Sequence, residues 1–192
     1  ASQLFRGAKN TKVDVKYTRQ GKINTTQIVL DEVAIKSVPF FGKIDAKTGY
    51  IVLSRFNNKA SLETKEALEQ LKREGAERIV LDLRGNPGGL LNEAVNVCNL
   101  FVPKNETIVT TKSKIEKHNS TYKTSRDPID TEIPLVILVN GKSASASEIV
   151  SGALQDLDRA VIIGGRSFGK GLVQRPVELT YGTQLKVTIS RY

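Results

Sequence analysis

Apolar and polar residues alternate over Val13, Val15 and Tyr17, break at Gln20-Gly21 and resume from Ile23 to Leu30. This two-residue period either side of a turn predicts a β-hairpin. An irregular stretch with Pro39 and Gly42 follows, so a domain boundary is expected between residues 34 and 45. From Gly49 the pattern changes to short apolar runs separated by helical periodicity. Tyr50 to Phe56 predicts a strand, and a helix follows from a Ser61 cap to Arg73, with Leu62, Leu68 and Leu71 inward and Gly75 as its stop. RIVLDL, residues 78–83, predicts a buried strand, and RGNPGG leads from it into a second helix.

On that helix Leu91, Ala94, Val95, Cys98 and Phe101 or Val102 fall on one face at i, i+3, i+4, i+7 spacing. A polar excursion over 104–132 predicts a β-ribbon or loop, and Ile133 to Val139 another buried strand. A helix from Ser145 to about Leu157, a strand at 160–163, and two strands (172–177 and 184–190) joined at Tyr181-Gly182 complete the chain. Strands alternating with helices predict an α/β fold of βαβ units, its apolar strands covered on both faces.

Composition narrows the functional classes. At 192 residues the chain is long enough for one ordinary domain, or one domain with a small appendage. No apolar run reaches the roughly 18–20 residues of a membrane span. The chain opens on Ala1 with no basic-then-apolar leader, and reads as a processed or excised piece. Lys plus Arg 29 against Asp plus Glu 20 gives 29 − 20 = +9. The basic residues are scattered, densest between Lys112 and Arg126. They lack an aromatic platform or a nucleic-acid motif, which predicts a solvated face and no nucleic-acid partner. The lone Cys98 excludes an internal disulfide and reads as a small core residue.

The chemistry gathers where strands end and helices begin. NGKSASASEIV, residues 140–150, stands at such a junction. Ser145-x-x-Glu148 reads as a capping box. It reads equally as an exposed serine at a helix N-terminus, with the Ala146 amide turned toward a tetrahedral oxyanion. RGNPGG offers flexible backbone for a second donor, or is only a tight turn. Locally the two readings stay open.

For a base, His118 lies in a polar stretch with nothing to orient it. Lys170, in GGRSFGKG, is the other candidate, since serine–lysine pairs follow the same nucleophile–base logic. Lysine acts as a base only when neutral, which an apolar pocket favours. Phe168, Leu172 and Val173 are expected to wall it. Gln174 is expected to fix its amine, provided Gly169 or Gly171 bends the strand. Gly164-x-x-x-x-Gly169-Lys170 also matches most of a phosphate-binding loop. Gly171 stands where Ser or Thr is needed, however, and a strand pattern follows where a helix must open.

The block SASASEIVSGALQDLDRAVIIGGRSFGKGLVQ, with LDLRGNPGG upstream, resembles the carboxyl-terminal processing peptidases, or tail-specific proteases. The resemblance runs from about Gly49 onward. It implies a spiral of ββα units related to the crotonase and Clp protease folds. It implies Ser145 as nucleophile, Lys170 as base, Gln174 as support, and an oxyanion hole from the amides of Ala146 and Gly88, Gly88 being chosen over Gly89. Neither cofactor nor metal is implied. The implied partners are protein or peptide substrates with flexible, often apolar C-terminal tails, and the implied location is the cell envelope or another extracytoplasmic space. LFRGAKNTKVDVKYTRQGK resembles only the end of the PDZ domain that precedes such a core. Residues 1–36 are therefore expected to be a PDZ remnant with its linker, and residues 37–192 the catalytic core of a longer protease, shortened at its C-terminus. The rival expectation is an inactive fragment or scaffold of the same fold, in which Ser145 only caps its helix.

Overall fold

The computed structural model describes residues 5–33 and 35–192. Leu4, the first residue of the PDZ-like stretch, and Ala34 lie outside the described residues. The chain divides into two compact units, Ala1–Ile35 and Lys36–Tyr192.

The first unit is an antiparallel hairpin of β1 (Lys12–Arg19) and β2 (Lys22–Val29), paired from Lys12↔Val29 to Arg19↔Lys22. Its turn holds Gln20 at φ 51° and Gly21 at φ 75°. Two positive φ values in a row match the twist of the flanking strands.

The second unit is built on a five-stranded sheet in the order β3-β4-β5-β8-β9. The strands are β3 (Phe40–Lys43), β4 (Thr48–Val52), β5 (Arg78–Asp82), β8 (Leu135–Val139) and β9 (Val161–Gly164). β3 pairs antiparallel with β4, and the other three pairings are parallel. Parallel neighbours need long crossovers. These are supplied by α1 (Ala60–Arg73), α2 (Leu91–Cys98) and α3 (Ala146–Asp156). The three helices pack in a row, α1 on α2 and α2 on α3.

Ile51, Ile79, Leu81, Leu135, Ile137 and Val139 turn one sheet face into the core, where they meet Leu68, Leu71, Val97, Phe101, Val150 and Leu154. The expectation of strands covered on both faces is corrected here. Tyr50, Val52, Val80, Val136 and Leu138, on the opposite face, are only half-buried. Cys98 is wholly buried, and burial pushes its thiol well above the usual range.

Two excursions leave the sheet. The polar stretch after α2 forms a ribbon of β6 (Thr107–Thr111) and β7 (Ser120–Lys123). After β9 the chain forms an antiparallel pair, β10 (Leu172–Glu178) and β11 (Gln184–Arg191), with a register irregularity between Val173 and Gln174.

Details of α1 and β3 depart from expectation. α1 begins at Ala60, and the Ser61 amide donates to Glu93 Oε2 at 2.8 Å, so Ser61 does not cap it. Its inward stripe is Ala60, Thr64, Ala67, Leu68 and Leu71, while Leu62 lies off that stripe and stays 53% exposed. β3 occupies a segment that reads as irregular. Pro39 falls just before it, where a missing amide costs an edge strand nothing.

Candidate active site

Three loops leave the C-terminal ends of adjacent parallel strands: RGNPGG after β5, NGKSAS after β8 and GRSFGK after β9. Residues far apart in sequence therefore meet at one end of the sheet, the usual place for function in such layers. There Ser145, Ala146, Gly88, Lys170 and Gln174 all line a single cleft of about 450 Å³. Leu90, Leu91, Ile149, Leu172 and Val173 give it apolar walls, and Lys186 and Tyr192 complete its lining. Phe168, expected in that wall, is 67% exposed and does not line the cleft. A larger cavity, about 830 Å³, lies between His118 and the end of β11 and reaches none of these residues except Leu172. His118 belongs to that cavity, away from Ser145.

The three serines of SASAS have different tasks. Ser143 and Ser147 are fully buried. Their hydroxyls donate to backbone carbonyls of the preceding loop, Ser143 to Leu83 at 2.8 Å and Ser147 to Asn86 at 3.0 Å. Only the middle serine turns to the cleft. Ser145 adopts φ 57° and ψ −114°, a region an L-residue enters only when its surroundings force it.

The capping box forms mainly through Glu148, whose Oε2 accepts the Ser145 amide at 2.7 Å. The Glu148 amide faces the Ser145 side chain, completing the box, and also donates to the Ser145 carbonyl at 2.8 Å. Glu148 also reaches the third loop. Its Oε1 accepts from Ser167 Oγ at 2.8 Å and the Gly169 amide at 2.6 Å, and its Oε2 accepts the Lys170 amide at 2.9 Å. Burial raises this carboxyl, but the four bonds outweigh it and hold the group below its ordinary 4.5. Glu148 was legible in the sequence only as a cap; its bonds to the Lys170 loop depend on tertiary placement.

The loop after β5 is fixed by Asn86, which is fully buried. Its Nδ2 donates to the Leu53 carbonyl at 2.7 Å, and its own carbonyl accepts the Ala144 amide at 3.0 Å. Its Oδ1 accepts the Gly88 amide at 2.9 Å. The Gly88 hydrogen is thus already committed, which tells against the expected choice of Gly88 over Gly89 as an anion donor. Among the described residues the amides of Gly89 and Ala146 have no such partner. Gly88 has another task. With φ 96°, it lies so close to the serine loop that a Cβ there would sit 2.8 Å from Ser145 Cβ and 2.9 Å from the Ala146 nitrogen.

Lys170 and Gly171 lead into β10 rather than a helix, so the phosphate-loop reading lacks its structural context. In a straight strand, four residues would separate Lys170 from Gln174 by about 13 Å. A register irregularity between Val173 and Gln174 interrupts that straight run, and both Lys170 and Gln174 line the cleft.

Residues 47–192 match the model of peptidase family S41. A carboxyl-terminal-processing protease of Picosynechococcus sp. is 40% identical over 198 residues, covering 100% of this chain and 47% of that protein. Its namesake in Synechocystis sp. is also 40% identical, over 100% of this chain and 45% of its own length. The solved photosystem II D1 C-terminal processing protease is 33% identical with a TM-score of 0.71, covering 96% of this chain and 51% of its own. This chain therefore spans about half the length of the relatives it matches. A match over residues 47–192, taking in the β5, β8 and β9 loops together, establishes that the chain belongs to peptidase family S41.

Proposed function

We propose that this chain carries the catalytic centre of a serine endopeptidase that uses Ser145 as nucleophile and Lys170 as general base. The observation that carries this reading is the convergence of Ser145, Lys170, Gln174 and the Pro87-Gly88-Gly89 turn on one cleft. The Lys170 amine takes the Ser145 proton as Oγ attacks the scissile carbonyl. The C–N bond then breaks, and the Lys170 ammonium returns the proton to the leaving amine. Water, deprotonated by the same amine, hydrolyses the acyl-enzyme. The oxyanion accepts from the Ala146 amide and, in place of Gly88, from the Gly89 amide. Gln174 orients the lysine. No step needs a metal or cofactor.

Leu90, Leu91, Ile149 and Val173 favour an apolar substrate side chain. In the whole protein this suits polypeptides with flexible, apolar C-terminal tails. The same reading makes the core a crotonase-like spiral and the hairpin the end of a PDZ domain, and places the enzyme outside the cytoplasm.

The test is to prepare Ser145→Ala and Lys170→Ala separately in the intact protein and follow cleavage of a peptide with an apolar tail. Each is expected to lose at least about 10³-fold in kcat while keeping its fold. Cleavage persisting in both variants would leave Ser145 as no more than a helix cap.

A further inference from the structure

Tyr192 is a cleft residue to which the proposed mechanism gives no task. It follows β11, whose end is held by reciprocal bonds between Lys112 and Arg191: the Lys112 amide donates at 2.7 Å and the Arg191 amide at 2.8 Å. The Tyr192 amide donates to the Gly171 carbonyl at 3.2 Å, setting the ring against the Lys170 segment. Its hydroxyl lies 2.8 Å from the Lys170 carbonyl oxygen and 3.3 Å from Ser145 Oγ.

A phenol has one proton to give, and a carbonyl oxygen can only accept. The shorter bond therefore takes the Tyr192 proton. The longer contact joins two hydroxyl oxygens, so the Ser145 hydrogen can rest on Tyr192 Oη and turn to the Lys170 amine in the reaction. The phenol needs its proton to keep this arrangement. Burial raises it above its ordinary 10.0, the contact with Ser145 works in the opposite direction, and the Glu148 charge adds to the rise. Tyr192 is thus protonated at neutral pH.

The Lys170 backbone is consequently held on both sides of its Cα, its N–H by Glu148 Oε2 at 2.9 Å and its C=O by Tyr192 at 2.8 Å. Both gripping groups also hold Ser145, Glu148 through the backbone amide and Tyr192 through Oγ. We propose that Tyr192 is a positioning residue for the peptidase reaction: its single hydroxyl ties the Ser145 side chain to the backbone of Lys170 and sets the distance and rotamer from which the proton is passed. This inference rests on Ser145 being the nucleophile.

The experiment compares intact wild type, Tyr192→Phe and Ser145→Ala. Three readouts are taken: peptide cleavage, melting temperature, and the rate at which a fluorophosphonate labels Ser145. Tyr192→Phe is expected to lower kcat and the labelling rate together by about tenfold, the scale of one hydrogen bond. KM and melting temperature should stay unchanged. Wild-type kcat and labelling in Tyr192→Phe, with Ser145→Ala inactive, overturns the role of Tyr192 and leaves the serine reading intact. Activity surviving in Ser145→Ala overturns that reading instead.

Should Tyr192→Phe melt early, trifluorotyrosine at position 192 keeps the shape and lowers the phenol pKa. Labelling should then fall away at a lower pH than in wild type, because a phenolate cannot donate to the Lys170 carbonyl. An unmoved pH profile refutes the proposal.

Discussion

Replacing Glu148 with glutamine removes a charge and one acceptor position at nearly constant volume. The carboxylate accepts four hydrogen bonds, two on each oxygen. With the new NH₂ in place of Oε2, it would oppose the amide hydrogens of both Ser145 and Lys170. In place of Oε1 it opposes only the Gly169 amide, because the Ser167 hydroxyl can turn and accept. The second orientation is preferred, so one bond is lost and three become bonds to a neutral group. Bonds to charged groups contribute about 1.5–3 kcal/mol each and neutral ones about 1 kcal/mol. Glu148 is half-buried, so solvent moderates the gross difference and a net loss of about 3 kcal/mol is expected.

Part of this loss should appear as lower global stability in urea unfolding. The remainder should appear as loosening of the Lys170 loop against Ser145. A misplacement of about 1 Å between reacting groups lowers kcat by about 10²-fold. KM should hardly change, because the carboxylate does not line the substrate cleft. The pH dependence has a definite sign. A carboxyl held below its ordinary 4.5 contributes stability that is fully present above 4.5 and is lost as pH falls through the lower folded value. The stability gap between wild type and Glu148→Gln should therefore close in acid and be widest above pH 4.5. A variant with wild-type kcat, or a gap that does not narrow in acid, would show that Glu148 does not hold the two loops together.

Two further substitutions examine neighbouring parts of the molecule. Gly88→Ala is expected to lower kcat by at least about 10²-fold, because the new Cβ would sit 2.6 Å from the Ala144 carbonyl oxygen and must push the serine loop aside; steady-state kinetics with wild-type values would refute the close approach. Native Cys98 should resist thiol reagents, since it is wholly buried with its thiolate disfavoured, and should react only on denaturation; rapid labelling of the folded protein would contradict its core placement.

The alternation of short apolar runs with helical periodicity made most of the second unit legible, because β5 and β8 are buried strands with few polar interruptions. Phe40 to Lys43 was not legible. An edge strand of four residues, paired only with β4, needs no long apolar run, and its pairing partners lie beyond a turn. The start of α1 was misplaced for a similar reason. Ser61 has the chemistry of a cap, but the helix opens before it at Ala60, and the free Ser61 amide is accepted by Glu93, 32 residues away, a contact no local pattern records. In the candidate site the residues alone left Ser145 open between cap and nucleophile, and it was the family resemblance that implied Ser145 and Lys170. The hydrogen bond from Gly88 to Asn86 was hidden, because Asn-Pro-Gly reads as a turn whichever way its amides point.

The candidate site also explains why strained backbone can persist there. Ser145, at φ 57°, would relax if free, whereas Gly88, at φ 96° in the facing loop, adopts its conformation without strain. A non-glycine residue in such a region costs about 1–3 kcal/mol. Asn86 meets that cost from one side: fully buried, it joins the β5 loop to Leu53 by its amide and to Ala144 and Ser147 by its carbonyl. Glu148 meets it from the other, bonding the Ser145 amide and the Lys170 loop through one carboxylate. Ser145 cannot rotate back to an ordinary conformation without breaking bonds on both sides. Its hydroxyl is therefore presented to the cleft by constraint from Asn86 and Glu148, and the flanking Ser143 and Ser147, similar in sequence but bonded inward, lack that presentation.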